Sequence, residues 1–474
     1  MESNTLPHPR AQHPVVDALI AALDPSAVLF GADMPARNHN DYSGLPPSIP
    51  LVVVRPADTN GVATAMRICQ AHGVAVVPQG GLTGLCGGAR AAQDQVALSL
   101  ERLTGIEEVD TAAATMTVLA GTPLETVQLA ATAAGFFCPL DLGARGSCAI
   151  GGNLATNAGG NRVIRYGMAR EMVLGIEVVL PDGTVVTSLN KMIKNNAGFD
   201  LKHLFIGSEG TLGIITRVVL KLFPQPASTM VAVCALRDYA DVLALLNSAR
   251  QNLGPLLSAF EVMWPDYWQF AMRHAPGVRN PFDGDDTAYG AYVLVEALGT
   301  DPIRDAPRFE AWLEGLMDSG TVPNAALAQS LADGKAFWSI RDASGELHPV
   351  WPHHLAFDIG LPVARMDEYA NRCRQALQAQ FPGAHSLFYG HIGDGNLHII
   401  VYQPGTDPQP KEQVNHIVYG LVREYGGTVS AEHGIGTLKH EWLGHARSAE
   451  EIALMRIIKN ALDPKALLNP GKVL

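Results

Sequence analysis

Residues 78–88 read PQGGLTGLCGG, and they follow a β-branched run at 74–77. Five glycines in this window let successive backbone N–H groups turn into one concavity, a nest suited to the diphosphate of a nucleotide. The order is neither the GxGxxG of a dinucleotide-binding turn nor the Lys-Ser/Thr ending of a P-loop, which disfavours nicotinamide and ATP. Upstream, residues 51–54 form another β-branched run, and Asp58 or Thr59 can cap a helix through Gln70. The window therefore sits at the end of a strand-helix-strand unit.

Working outward, residues 141–160, DLGARGSCAIGGNLATNAGG, are dense in Gly, Ala, Ser, Thr and Asn. Small side chains let a flat aromatic ligand lie against the backbone. Ile150, Leu154 and the spaced alanines distinguish the stretch from a flexible tether. A hairpin is expected from strands at 172–180 and 184–187 joined by Pro181-Asp182-Gly183. Residues 205–216, FIGSEGTLGIIT, lead into a long apolar strand ending near Phe223-Pro224. A boundary is expected at 225–229, where glycine-rich segments give way to alternating strands and helices.

Two later segments carry acid/base and metal-binding chemistry: residues 390–398, GHIGDGNLH, and 430–434, SAEHG. They offer His391, His398 and Glu432 as ligands and His433 as a further imidazole, on backbone made thin by glycine. Two histidines and a carboxylate suit catalytic Zn2+ with an open position, or Mn2+ or Fe2+. Zinc is the first choice because it is redox-inert beside an electron carrier.

The remaining composition sets bounds. At 474 residues and 47% apolar, the chain is long enough for two or three domains. A net charge of −12 and the lack of a long basic run argue against nucleic acid as a partner. The six cysteines form no CxxC pair, which speaks against a structural zinc site or an iron–sulfur cluster and for reduced thiols. A helix is expected at 15–23, ended by Asp24-Pro25. The opening stretch 1–14 is polar and proline-containing, with no signal-like or membrane-spanning pattern, so the expectation is a cytoplasmic protein without a membrane span.

The glycine-bearing segments, in this order, resemble the flavin-binding domain of the vanillyl-alcohol oxidase type. Together with KNNAGFDLKHLFIGSEGTLGIIT at 194–216, GHIGDGNLH, SAEHGIGTLK and the terminal LNPGKVL, they resemble the FAD-dependent D-2-hydroxyacid dehydrogenases, in the branch of D-2-hydroxyglutarate and D-lactate dehydrogenases. The resemblance runs from about Pro50 to Leu474. It implies an α+β fold: an N-terminal helical extension (1–49), a two-subdomain FAD-binding domain (50–223), an antiparallel-sheet substrate domain (227–410) and a helical C-terminal part (411–474) that completes the active site.

By this resemblance Pro78, Gln79, Gly80, Gly81, Thr83 and Gly84 hold the FAD diphosphate. Asp141, Ser147, Gly151, Gly152, Asn153, Thr156, Asn157, Gly159 and Gly160 line the flavin and ribityl chain. Glu209, Gly210, Gly213 and Ile215 fall on the adenine side, and Asn469 returns from the C-terminus to the flavin region. His391, His398 and Glu432 bind the metal, His433 is the acid/base, and Arg341 and Asn396 bind substrate. The implied reaction is oxidation of a D-2-hydroxy acid to the 2-oxo acid by hydride transfer to flavin N5, with electrons leaving to a separate acceptor such as an electron-transfer flavoprotein, a quinone or a cytochrome. A homodimer is compatible with this reading. An oxygen-using oxidase, a zinc hydrolase and a non-catalytic flavoprotein are the alternatives.

The chain departs from the D-2-hydroxyglutarate pattern at three places. Gly345, Ala356 and Ile400 stand where a threonine, a lysine and an asparagine are expected, which weakens the case for a dicarboxylate. Lys335, His353 and His354 are candidates to compensate.

Overall fold

The computed structural model describes residues 13–474; the opening stretch 1–12 lies outside the described residues. The chain forms two compact units. The first holds residues 13–158, 168–223 and 433–474, and the second holds 159–167 and 224–432.

The first unit begins with helix Pro14–Ala22, close to the expected span. It contains two sheets. In one, strands Val52–Val54, Val96–Ser99 and Val76–Gln79 run parallel in that order, and Val28–Leu29 adds antiparallel to Val52–Val54. All three parallel strands are largely buried, which is why they read as continuous Val-rich runs. Helix Thr59–His72 makes the crossover. Its cap is Asp58, whose carboxylate accepts the Gly61 N–H, and it stops at Gly73, which takes the left-handed conformation at φ +65°.

The second sheet is antiparallel, in the order Ile106–Asp110, Thr115–Leu119, Ile214–Lys221, Val173–Val179, Val185–Ser188. The expected hairpin is its last pair, turning through Gly183 at φ +81°. Thr59 and Arg67 of the crossover helix bond Glu177 and Gly183 of this hairpin, tying the two halves of the unit together.

The second unit is built on a seven-stranded antiparallel sheet. Its order is Asn324–Leu327, Ser228–Leu236, Ala291–Gly299, Leu257–Met263, His385–His391, Asn396–Tyr402, Leu355–Gly360. An aromatic-rich core, including Tyr267, Trp268, Phe270, Leu387, Tyr389 and Ile400, packs on the sheet.

The C-terminal part expected as one piece, 411–474, divides between the units. Helix Lys411–Glu424 stays with the second, where the Tyr369 hydroxyl donates to the Val418 carbonyl. Beyond Glu432 the chain joins the first, where Asn469 N–H donates to the Val76 carbonyl and Leu468 bridges to the parallel sheet. Residues 159–167 cluster with the second unit, where arginines anchor them to its sheet. Arg162 pairs with buried Glu296 at 3.1 Å, and Arg165 donates to the carbonyls of Leu256 and Leu298. Among the described residues, no helix is long and apolar enough to cross a membrane.

Candidate cofactor and metal sites

In the first unit, the glycine window leaves strand Val76–Gln79 and runs beside residues 146–149. A cavity of about 300 Å3 opens here, lined by Gly80, Gly81, Gly121, Gly146, Ser147 and Ala149 among others. A Cβ on Gly81 would lie 2.2 Å from the Ser147 carbonyl oxygen and 2.7 Å from Cys148 Cα, so only glycine lets the two segments approach. Among the described residues, the amides of Gly81, Leu82, Thr83 and Gly84 donate to no other backbone group. They are donors available to an anion, and the donor set fits the diphosphate of FAD.

Several residues assigned to the flavin also bond within the protein itself. The Gln79 side chain donates to the carbonyls of Asn38 and Ala89 and accepts from the Asn38 amide, bracing the glycine window from beneath. The Asn157 carbonyl accepts the Arg170 N–H, Asn153 reaches the Cys148 sulfur, Thr156 bonds the Gly152 carbonyl, and Ser147 bonds Ala144. Asp141 pairs with Arg145 at 3.1 Å. A Cβ on Gly151 would meet Ala120, and one on Gly213 would meet Val178, so both glycines serve close packing. Gly152 and Gly84 have open space where a side chain would stand. Gly210, at φ +70°, packs on Pro78, and Ile215 is buried in its strand.

Glu209, expected on the adenine side, accepts the N–H groups of Ile435 (2.6 Å) and Gly436 (2.8 Å). Burial pushes its carboxyl above the usual range, against these two donors and Lys439. It thereby fixes the segment that starts at His433. Asn469 donates to the carbonyls of Gly88 and Glu209, while its buried Oδ1 has no hydrogen-bond partner and is open to a ligand donor.

In the second unit, strand register collects the polar residues on one face. Glu261 lies opposite His391, Tyr389 opposite His398, and Asp358 opposite His398. With side chains alternating along each strand, Glu261, His391, His398 and Asp358 must share a face. Ligand atoms of His391, His398 and Glu432 all lie within 4.8 Å of one another, with Glu432 Oε1 3.8 Å from His391 Nε2. Two imidazoles and a carboxylate at this spacing fit a single divalent cation.

The groups behind these ligands were not legible as such in the sequence. Glu261 Oε1 accepts the His391 Nδ1–H at 2.5 Å, which fixes the orientation of the ring with Nε2 toward the cluster. Its other oxygen accepts Arg341 Nε at 2.7 Å. Burial alone would raise the Glu261 carboxyl, but His391 and Arg341 outweigh it and hold it near about 2. Burial, the largest single effect, would lower His391, but Glu261 and Glu432 together outweigh it and raise it to about 9. The one signal available was a lone acid in the apolar strand LSAFEVM, residues 257–263. Asp358, in LAFDIG, is fully buried and accepts the N–H groups of Ala431 and Glu432 and the Ser430 hydroxyl, which sets the loop carrying Glu432.

Arg341 is buried at the end of helix Leu331–Arg341, with Nη2 3.2 Å from His391 Nε2 and its carbonyl accepting from Tyr267. It is therefore no helix-surface arginine. Asn396 donates to Asp358 and to the Ile359 carbonyl, and its buried Oδ1 has no partner. Gly159 and Gly160, expected at the flavin, belong to the second unit, where Gly160 N–H donates to Glu432 Oε1 at 2.7 Å. Lys335 is exposed and lies six residues before Arg341, about 240° around the helix, so it turns away from the buried face. His353 is exposed, and His354 bonds the Trp351 carbonyl.

Comparison with known proteins finds two successive family matches along the chain. Residues 50–188 match the model of an FAD binding domain, and residues 225–473 match the C-terminal domain of FAD linked oxidases. The chain belongs to the FAD-linked oxidase family and is an FAD-dependent oxidoreductase. Among curated proteins it is 38% identical over 452 residues to a probable mitochondrial D-2-hydroxyglutarate dehydrogenase of Oryza sativa subsp. indica, covering 95% of this chain and 80% of that protein. It is 34% identical over 470 residues to a putative mitochondrial D-lactate dehydrogenase of Schizosaccharomyces pombe, covering 97% and 87%. Among solved structures, p-cresol methylhydroxylase with substrate bound superposes with a TM-score of 0.77 at 16% identity, covering 97% of this chain and 96% of that one. That last likeness speaks to the fold alone.

Proposed function

We propose that this protein oxidises D-2-hydroxy acids to 2-oxo acids in a metal-dependent reaction and passes the electrons to a separate acceptor. The observation that carries the proposal is the buried cluster of His391, His398 and Glu432 with the Arg341 guanidinium against it. A 2-hydroxy acid presents a hydroxyl and a carboxylate that together match a cation beside an arginine. The relatives named for D-2-hydroxyglutarate and D-lactate support this substrate class.

In this reading His391, His398 and Glu432 hold the cation, for which redox-inert Zn2+ suits the donors best. When bound, the cation supplies Lewis acidity at the substrate hydroxyl and FAD accepts the hydride. Arg341, aimed by Glu261, orients the substrate carboxylate. His433, next in the chain to Glu432, takes the hydroxyl proton as general base. Asn396 offers its unpartnered Oδ1 to a substrate donor.

The substrate side chain favoured here is short or apolar. Ala356 and Ile400 are cross-strand partners, and Ile400 lies two residues beyond His398 on the same face, within the aromatic core. Methyl groups, rather than a cation for a second carboxylate, stand at these positions. Anaerobic stopped-flow reduction of the zinc-loaded enzyme tests the proposal. D-lactate should bleach the flavin faster than D-2-hydroxyglutarate, and L-lactate should do so far more slowly; equal rates for the lactate enantiomers would overturn it. His433→Ala should slow bleaching by D-lactate by roughly a hundredfold to ten-thousandfold, the usual scale for losing a general base.

A further inference from the structure

Gly159 and Gly160, which the resemblance places at the flavin, open a segment, 159–167, that clusters with the second unit. A Cβ on Gly159 would sit 2.5 Å from Glu432 Oε1 and 3.1 Å from both Cγ and Cδ. The carboxylate thus lies directly against the backbone at this glycine. The next amide, Gly160 N–H, donates to the same Oε1 at 2.7 Å. That oxygen is also the one 3.8 Å from His391 Nε2. One face of the carboxylate is walled by Gly159 and one of its lone pairs is fixed by Gly160, leaving its other side to the imidazoles.

The wall is itself held in place. Two residues on, Arg162 forms a two-pronged pair with Glu296, whose carboxylate also accepts the Ser258 hydroxyl and the Trp338 indole N–H. Arg165 hooks onto the carbonyls of Leu256 and Leu298, and the Ile164 side chain abuts Gly393, in the turn that follows His391. From the other direction, Asp358 fixes the backbone of Ala431 and Glu432. Glu432 is therefore gripped at its backbone by one buried acid and at its carboxylate by the Gly159–Gly160 step.

We propose that Gly159 and Gly160, anchored through Arg162 and Glu296, form a clamp that positions Glu432 as a metal ligand. They would then set metal affinity rather than flavin affinity. This rests on the metal-site reading above. An ionised carboxylate that must accept a backbone N–H and a cation together gains affinity from being held in one rotamer, and outer partners of this kind typically contribute tenfold to a hundredfold in metal binding. A methyl group at residue 159 would displace the carboxylate, because the facing atoms are those of Glu432 itself.

Zinc titration calorimetry on the flavin-loaded protein, with flavin absorbance and thermal unfolding recorded on the same samples, tests the clamp. Gly159→Ala should weaken zinc binding about tenfold or more while flavin content and unfolding temperature stay near those of the parent. Arg162→Met, which leaves both glycines intact, should weaken it less but in the same direction. In a Glu432→Ala background, where the two histidines alone bind zinc, adding Gly159→Ala should cause no further loss. Unchanged zinc affinity in folded Gly159→Ala, or an equal loss with and without Glu432, would overturn the clamp while leaving the metal site standing. A parent protein that binds no zinc, Mn2+ or Fe2+ would overturn the metal reading and the clamp with it. Should Gly159→Ala fail to fold, the Arg162→Met affinity alone decides: no change overturns the proposal.

Discussion

In the first unit the groups available to a ligand are backbone amides of the glycine window, and the Gln79 side chain braces that window from behind. In the second unit the arrangement is reversed. Side chains of His391, His398, Glu432 and Arg341 face the site, and buried acids, Glu261 and Asp358, stand behind. The two kinds of site are vulnerable to opposite changes. A cradle of bare backbone is damaged by adding atoms, whereas a cluster of side chains is damaged by removing them.

The largest expected effect comes from taking a ligand out of the second unit. His398→Ala should abolish stoichiometric metal and reduce turnover with D-lactate to background, while the purified protein remains yellow with bound flavin. Metal analysis and the visible spectrum read the two units separately, and full turnover without metal would break the contrast. Glu261→Gln probes the layer behind. It keeps the shape but removes the charge that orients His391 and neutralises Arg341, so metal affinity should fall by roughly tenfold to a hundredfold. If calorimetry shows no loss, Glu261 serves only Arg341. The smallest of the three lies in the first unit. Gly81→Ala forces a methyl group onto the Ser147 carbonyl and Cys148 backbone, at a cost of about 1–3 kcal/mol. It should lower flavin retention and unfolding temperature without altering zinc affinity, and a loss of zinc binding in this variant would blur the division.

A substitution could also turn the comparison on substrate choice. Ile400→Asn restores a polar group beside His398 on the same strand face. It should raise the rate of flavin reduction by D-2-hydroxyglutarate relative to D-lactate several-fold, and an unchanged ratio measured by stopped-flow would place side-chain selection elsewhere.

The division between the units also shows how far one-dimensional reading reaches. Local rules sufficed where the signal is local. The β-branched runs became parallel strands, Asp58 capped its helix, and Pro181-Asp182-Gly183 turned its hairpin, because propensity, capping and turn chemistry act over a few residues. That His391, His398 and Glu432 come together was also expected, since histidines and an acid beside glycines are rare enough to stand out. Composition left the neighbour of Gly159 and Gly160 open. Small residues signal close approach to the backbone, but not what approaches, and here the neighbour is the Glu432 carboxylate.

The sequence by itself determined the strand-helix-strand entry to the glycine window and the candidate ligand side chains His391, His398 and Glu432. Each depends on residue type and short spacing. Only the tertiary structure decided which buried acid stands behind which ligand, that Glu209 grips residues 435–436, and that residues 159–167 and 433–474 exchange units relative to their neighbours in the chain. Those outcomes follow from strand register and from charges that must find partners once buried. Glu261 meets His391 across 130 residues and Glu432 meets Gly160 across 272, separations at which no local pattern carries information about the partner.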